Sequence, residues 1–537
     1  LTRDRPPFGA AMIGFDFPYP SQRMPVLARN VVATSQPLAV AAGLDVLRRG
    51  GNAVDAAISA AITLTVVEPC NNGVGSDAFA IVGTADGIWG LNASGRSPTG
   101  WTAARFAGRK AMPGLGWDSV TVPGAVSAWV AMSERFGRLP FAQLFDSAIH
   151  YAADGFQVGP KTAYYWQLAA RHFAGFRNFL AHFLPDGHAP KPGEIFRRPE
   201  LATTLRIIAE SHGEAFYRGE LAQRMAADAD EHGGAMTAAD LAAHRADWVT
   251  PLTQRYRNID VHEIPPNGQG LAAQIALGIL AHFDLARFPA DDVHGIHLQI
   301  EAMKIAIRAA FDHFADLAAM RITPEALLDE TGLAKLARGI TDTAVPLPPA
   351  RLPVGHDTVY LTAADAAGMM VSMIQSNYRG FGSGVVVPGT GIALQNRGSG
   401  FVLDPDHPNC VGPSKRPYHT IIPGFVTENG RPRLSFGVMG GHMQHQGHVQ
   451  MVTRIFDHGQ NPQVASDAPR WHIYPDFDVG LETGASDALA AGLAARGHRV
   501  RHEPNEGVFG GAQLIYRMSD GYCGASDHRK EGLAAGF

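Results

Sequence analysis

Between Gln36 and Arg49 apolar residues return every three or four positions, the spacing of one buried helix face, and Gly50-Gly51 end the run. Asn52 then stands as the N-cap of a second, Ala-rich helix, so the pattern predicts a helical hairpin. That helix runs into VVEPCNNGVGSDAFAIV, where a proline and a Gly-rich turn precede an apolar strand from Ala78 to Val82. GIWGLNAS reads as the next strand. From Val122 to about Ile340 the pattern is mostly helical and amphipathic, as in AVSAWVAMSERFG and GIHLQIEAMKIAIRAAFDHFADLA, with no fixed repeat. Residues 341–357, TDTAVPLPPARLPVGHD, hold four prolines and predict an exposed linker. Beyond it, TVYLTAADAAGMMVSMIQS predicts two strands around an Asp-Ala-Ala-Gly turn, and GFGSGVVVPGTGIALQNRGSGF continues a strand-rich last third. One late helix, SDALAAGLAARG, interrupts it.

Composition narrows the classes. Among 537 residues, 45 basic and 50 acidic side chains leave a formal net charge of -5, which argues against nucleic acid or a membrane surface as partner. Apolar residues at 46% supply a large core and exclude disorder as the main state. The 60 glycines and 36 prolines follow no collagen period and point to many tight turns. Cys70, Cys410 and Cys523 are an odd number without CxxC spacing, which indicates neither a disulfide framework nor a cysteine zinc site. No apolar run reaches the roughly 20 residues that span a bilayer. The expectation is a soluble, cytoplasmic protein, with a trimmed leader left open.

Thr358, in GHDTVYL, opens a strand directly after the Pro-rich linker, the arrangement an N-terminal nucleophile needs before its release. Its hydroxyl would attack the Asp357 carbonyl, shift the peptide to an ester, and on hydrolysis leave Thr358 as a new chain start. The freed α-amino group would then be the base for its own hydroxyl. An α-amino pKa of about 7.7 to 8.0 keeps a useful fraction neutral. A threonine opening a strand is otherwise an ordinary strand residue.

Rival constellations are weaker. His442, His445 and His448 in GHMQHQGH are spaced like metal ligands, and a zinc amidohydrolase is the rival mechanism. No acidic ligand sits among them and Gly447 interrupts the helix, so a structural or pocket-lining role is expected and no metal. The Gly-rich stretches Gly380 to Gly391 and Asn71 to Asp77 lack GxxxxGK[ST] and the strand-GxGxxG-helix unit. Ser383 in GFGSGVV has the wrong spacing for a nucleophile elbow.

A series of motifs, GGNAVDAAISAAITLTVVEP, VPGAVSAWVAM, FYRGELAQRM, MTAADLAAHRADWVTPL, the Thr358 segment, PGTGI, KRPYHTIIP, GGHMQHQGH and ASDHRKEGLAAGF, resembles the γ-glutamyltransferase family in order and spacing over about residues 27 to 537. The resemblance implies an α+β fold, the four-layer αββα sandwich of the N-terminal-nucleophile hydrolases, with large and small subunits from one precursor. It implies a cut between Asp357 and Thr358, with 1–26 an N-terminal extension, 27–357 the large subunit and 358–537 the small one. It makes Thr358 the nucleophile, Ser376 the hydroxyl that orients it, and Gly440-Gly441 the backbone N–H pair of the oxyanion hole. A tight turn before a helix is the alternative for the two glycines. No cofactor is implied, and a homodimer of such heterodimers stays open.

The departures from the family pattern concern the substrate. Where other members hold the glutamyl α-carboxylate with an arginine, this chain has Ser94, with Arg96 two residues later. The positions that hold the α-amino group are Gly400, Arg397 and Tyr378, and the paired serines are His419 and Thr420. An arginine where an ammonium should sit repels it and clamps a carboxylate instead. The expected substrate is a small anionic amide, oxamate or a similar dicarboxylic acid monoamide, read by Arg397 with His419, Thr420 or Tyr378, as in an oxamate-amidohydrolase-like branch. A salt-bridged or solvated Arg397, a γ-glutamyl hydrolase or transpeptidase, a glutaryl-cephalosporin acylase, and a non-catalytic binding protein of the same fold remain as alternatives.

Overall fold

The computed structural model describes residues 23–348 and 357–537; most of the predicted extension 1–26, and 349–356 of the predicted linker, lie outside the described residues. The hairpin is formed by helices Pro37–Arg48 and Ala53–Val67. Asn52 accepts from the amides of Val54 and Asp55 while Asp55 accepts from the Asn52 amide, a reciprocal cap. Every residue of the second helix is buried, so its apolar sequence is matched by neighbours all round.

Two seven-stranded antiparallel sheets form the centre. In the first, Leu533–Gly536, Val31–Thr34, Asp357–Ala364, Met370–Tyr378, Asp77–Thr84, Gly87–Asn92 and Asp247–Val249 lie side by side in that order. The second runs Val26–Ala28, Gly521–Ser526, Gly511–Met518, Arg431–Met439, Gly424–Glu428, Ile259–Glu263 and Leu252–Tyr256. Between them Phe79, Ile81, Tyr360 and Ile374 meet Phe425, Met439 and Ile515. Gly437 admits the Tyr360 ring, which would stand 2.4 Å from a Cβ at that position. Helices Ala53–Val67, Ala125–Phe136 and Pro199–Glu210 share a core with the first sheet, and Gly270–Leu280, Val293–His313 and Met443–Phe456 share one with the second. The layers are therefore helix, sheet, sheet, helix, each sheet burying both faces.

Three local expectations change. Strands Leu252–Tyr256 and Ile259–Glu263 lie inside the stretch expected to be helical. The first alternates partly buried and exposed residues, a short period-two signal overrun by the longer helical patterns beside it. Asp357, placed in the linker, already pairs with Tyr378 in the sheet. Gly447 does not interrupt its helix; a Cβ there would lie 2.6 Å from Val438, so the glycine lets Met443–Phe456 press onto the strand. No described helix is long and apolar enough to cross a membrane.

Candidate active site

Thr358 is buried at the second residue of its strand, and its hydroxyl donates to Ser376 Oγ at 3.2 Å across the pair Asp357–Ala364 and Met370–Tyr378. Ser376 Oγ also accepts from the Tyr378 amide at 2.8 Å. This bond accompanies a left-handed backbone at Tyr378, φ 80°, unusual for a residue with a side chain. The turn brings the Tyr378 ring under the Arg397 guanidinium, 4.6 Å from ring centre to Cζ.

Arg397 opens a short 3-10 turn, Arg397–Gly400, and is 1% exposed. Its Nη1 donates to Thr420 Oγ1 at 2.8 Å, whereas Nε and Nη2 have no hydrogen-bond partner among the described residues. Those two nitrogens form one edge of the guanidinium, the fork that fits a carboxylate. Burial lowers the Arg397 pKa to about 10, opposed by the field of Asp77, so the side chain stays cationic at neutral pH.

The ring of contacts closes on the other side. The Thr420 carbonyl and the Gly441 carbonyl both accept from Gln269 Nε2, at 2.6 and 2.9 Å. Gly440 and Gly441 (φ 115° and 58°) link strand Arg431–Met439 to helix Met443–Phe456, at the helix end where N–H groups and the macrodipole favour an anion. From the first turn of that helix Gln444 reaches Thr358 Oγ1 at 3.5 Å and accepts from the Ile422 amide at 3.0 Å. The nucleophile candidate, the glycine pair and the half-satisfied arginine thus surround one place.

Not every expected residue faces it. His419 is turned to Asp77: its Nε2 lies 3.1 Å from Asp77 Oδ2, its Nδ1 accepts from the Ile421 amide at 3.4 Å, and burial together with Arg397 and Arg416 holds it neutral. Gly400 packs under Tyr418, whose carbonyl oxygen would be 2.6 Å from a Cβ, and its own carbonyl accepts from Asn409; its role here is a close approach. Ser94 Oγ donates to Asn92 at 2.7 Å in a buried amide network with Asn267. Arg96 is committed to Asp316 at 2.9 Å and to the Ser414 carbonyl, half exposed on an outer groove of about 900 Å³. Among the described residues neither the Ser94 nor the Arg96 side chain hydrogen-bonds to the ring around Thr358, because both are held by other partners.

The histidines also resolve. His448 Nδ1 lies 2.6 Å from Glu263 Oε1, both fully buried, and the His442 ring stacks on Tyr418. A carboxylate is therefore present, brought by strand Ile259–Glu263, though the three rings do not gather into one ligand set among the described residues. The described cluster with ligand atoms close together is His297, Glu301 and His498. There the two rings bond each other at 2.8 Å and the Lys304 ammonium occupies Glu301 at 2.8 Å. The cluster anchors Thr341 and Val345, where the Pro-rich segment begins.

Sequence reasoning missed Asp77, Gln269 and Gln444. Asp77 did leave a signal: a carboxylate abutting the fully apolar run AFAIV is costly unless something holds it.

Two sheets between helical layers, with a threonine opening an inner strand opposite a glycine pair, define an N-terminal-nucleophile hydrolase. The chain matches the gamma-glutamyltranspeptidase family over residues 39–537 and belongs to that family. It is 36% identical over 522 residues to the glutathione hydrolase-like YwrD proenzyme of Bacillus subtilis, covering 95% of this chain and 98% of that one. It is 36% identical over 527 residues to the oxamate amidohydrolase proenzyme of Klebsiella pneumoniae, covering 95% and 99%. The crystal structure of a cephalosporin acylase from Bacillus halodurans superposes with a TM-score of 0.93 at 46% identity, covering 98% of this chain and 99% of that one. The protein is thus an enzyme of this hydrolase family, and the Bacillus subtilis and Klebsiella pneumoniae relatives are both named as proenzymes.

Proposed function

We propose that the precursor cuts itself between Asp357 and Thr358, and that the processed enzyme hydrolyses a small amide whose acyl group carries a carboxylate and no amine. Oxamate and related dicarboxylic acid monoamides are the substrate class. The observation that carries this reading is the Arg397 guanidinium, buried with its Nε/Nη2 edge unpartnered beside the Thr358 site. A buried cation with open donors is costly unless an anion completes it.

The chemistry follows from the neighbours. The Thr358 α-amine takes the hydroxyl proton as Oγ attacks the amide carbon, and the oxyanion is held by the Gly440 and Gly441 N–H groups. The C–N bond breaks, the nitrogen leaves with the proton from the α-amine, and water attacks the ester to release the acid. Ser376 and Gln444 orient Oγ, Tyr378 supports the guanidinium from below, and Thr420 fixes its rotation. No step calls for a cofactor.

Ammonia or amine release from oxamate, succinamate, glutaryl amides and γ-glutamyl amides tests the reading. Amine-free acyl groups are expected to win over γ-glutamyl donors, which carry an ammonium toward Arg397. A preference for γ-glutamyl donors would overturn it. The similarity to a cephalosporin acylase favours a second reading, a carboxylate-ended acyl amide of a bulkier amine such as a glutaryl-cephalosporin; the same panel separates it by the amine released.

A further inference from the structure

The Asp77 carboxylate is fully buried at the start of strand Asp77–Thr84, in register with Ser376. Oδ1 accepts from the Gly95 and Gly124 amides, each at 3.1 Å, and Oδ2 from His419 Nε2. All three donors are neutral, and among the described residues no arginine or lysine lies within ion-pair distance. The cations that act on it are Arg397 and Arg416. Arg416 is already bonded to Asp247 at 2.7 Å, whereas Arg397 has only the neutral Thr420 hydroxyl. In the empty site, then, Asp77 is the charge that balances Arg397 through space.

Resting on the Arg397 reading above, we infer that Asp77 with His419 is the charge-compensating, positioning pair of the carboxylate site: anionic when the site is empty, it takes up one proton when a carboxylate lands on Arg397. Binding puts a second anion beside one guanidinium in a dry interior, and adding a proton is the least costly way to remove one charge. The proton has a defined place. It ends on Asp77 Oδ2, which then donates to Nε2 of a His419 ring that stays neutral with its own hydrogen on Nδ1 and gives up the 3.4 Å bond from the Ile421 amide, the longest in the set.

The surroundings allow the change. Burial pushes Asp77 up to about 7 against the pull of Arg397, the Gly95 and Gly124 amides and Arg416. Among the described residues Tyr217 also feels the Asp77 charge, and burial raises its own pKa far above neutrality. Affinity for an anion is therefore greatest below about pH 7, where the free pair already holds the proton. It falls as pH rises through that value.

The test is calorimetric titration of the processed wild-type enzyme with oxalate, succinate and glutarate at pH 6.5 to 8.5, in buffers of different ionisation heat. The expected result is uptake of up to one proton per site near pH 8 and a Kd that rises by up to about tenfold per pH unit above 7. Asp77→Asn is expected to abolish both. Should that variant fail to fold, infrared difference spectra of the wild type on adding succinate near pH 8 serve in its place: a new protonated-carboxyl C=O band is expected, and its absence overturns the inference. Uptake that persists in the variant belongs to the Thr358 amine and overturns the inference, as does a flat wild-type Kd. Arg397→Ala separates the two claims. If it binds dicarboxylates as wild type does, the substrate reading has failed; if it loses them while the wild type takes up no proton, only the Asp77 inference has.

Discussion

Two buried arginine sites in this molecule differ in one respect, how completely their nitrogens are used. Arg529 spends every guanidinium nitrogen: Nε and Nη2 on Glu482 at 2.6 and 2.5 Å, Nη1 on Asp527 and the Ser466 carbonyl, Nη2 also on the Ala468 carbonyl. Arg470 joins it on Asp527 through Nη2 at 2.5 Å and bonds the Phe509 carbonyl through Nη1, leaving only its Nε without a partner among the described residues, and Asp527 further accepts from the Ala512 amide. Arg397, equally buried, uses one nitrogen and leaves an edge open. The carboxylate-bound network fixes where the helix Pro462–Asp467 and the C-terminal strands meet; the open edge of Arg397 is what the carboxylate of the proposed substrate would complete. Burial alone distinguishes nothing, since both kinds are buried.

Substitutions at the two sites should therefore fail in opposite ways. The largest effect belongs to neither: Thr358→Ala is expected to leave one uncut chain and to lower turnover by about a thousandfold or more. Intact mass would show this, wild type giving pieces of about 38 and 19 kDa by length. Next, Arg529→Met should cost about 3–5 kcal/mol by leaving Asp527 and Glu482 short of a cation, read by denaturant unfolding. Against burial, Arg470 and Arg529 hold the Asp527 carboxyl well below its ordinary range. Its folded pKa is thus depressed, so that contribution is present above the unfolded value near ~3.9 and is lost as pH falls below it. Acid unfolding should accordingly begin at higher pH in Arg529→Met than in wild type.

Arg397→Ala should do the reverse, keeping the fold and the cut while raising KM for anionic amides about 30- to 100-fold, the loss of a charge-assisted bidentate pair worth about 2–3 kcal/mol. Steady-state kinetics beside a thermal melt reads both. A variant that melted early with unchanged KM would put Arg397 in the closed class and erase the contrast. The smallest effect is expected at Arg96→Ala: its half-exposed pair with Asp316 should change stability by no more than about 0.5–1 kcal/mol and leave KM unaltered. A KM shift there would mean that the outer groove takes part in substrate binding.

How far the sequence could be read depended on range. The helical hairpin, its Asn52 cap and the Asp365 turn are set by neighbours a few residues apart, and they form as the pattern predicts. Thr358 and Ser376 were placed by a motif and are joined by adjacent strands of one hairpin. Strands Leu252–Tyr256 and Ile259–Glu263 were lost because five residues carry too short a period to stand against long amphipathic helices on either side. His419 was expected at the substrate, yet it belongs to Asp77, 342 residues away.

By itself the sequence determined much of the local grammar of this protein: the helical hairpin and its cap, the Asp365 turn between two strands, and that a threonine opens a strand after a Pro-rich stretch. It also carried Arg397 at a position where the family resemblance implies an α-amino group, the basis of the proposed anionic substrate. Only the tertiary structure decided which buried charges are already spent. Whether Arg397 is open and Arg529 closed, whether Arg96 points to Asp316, and whether Asp77 meets His419 are facts about partners far apart in the chain. The physical reason is that the cost of a buried charge is set by the donors and acceptors packed around it, and those are assembled by the fold.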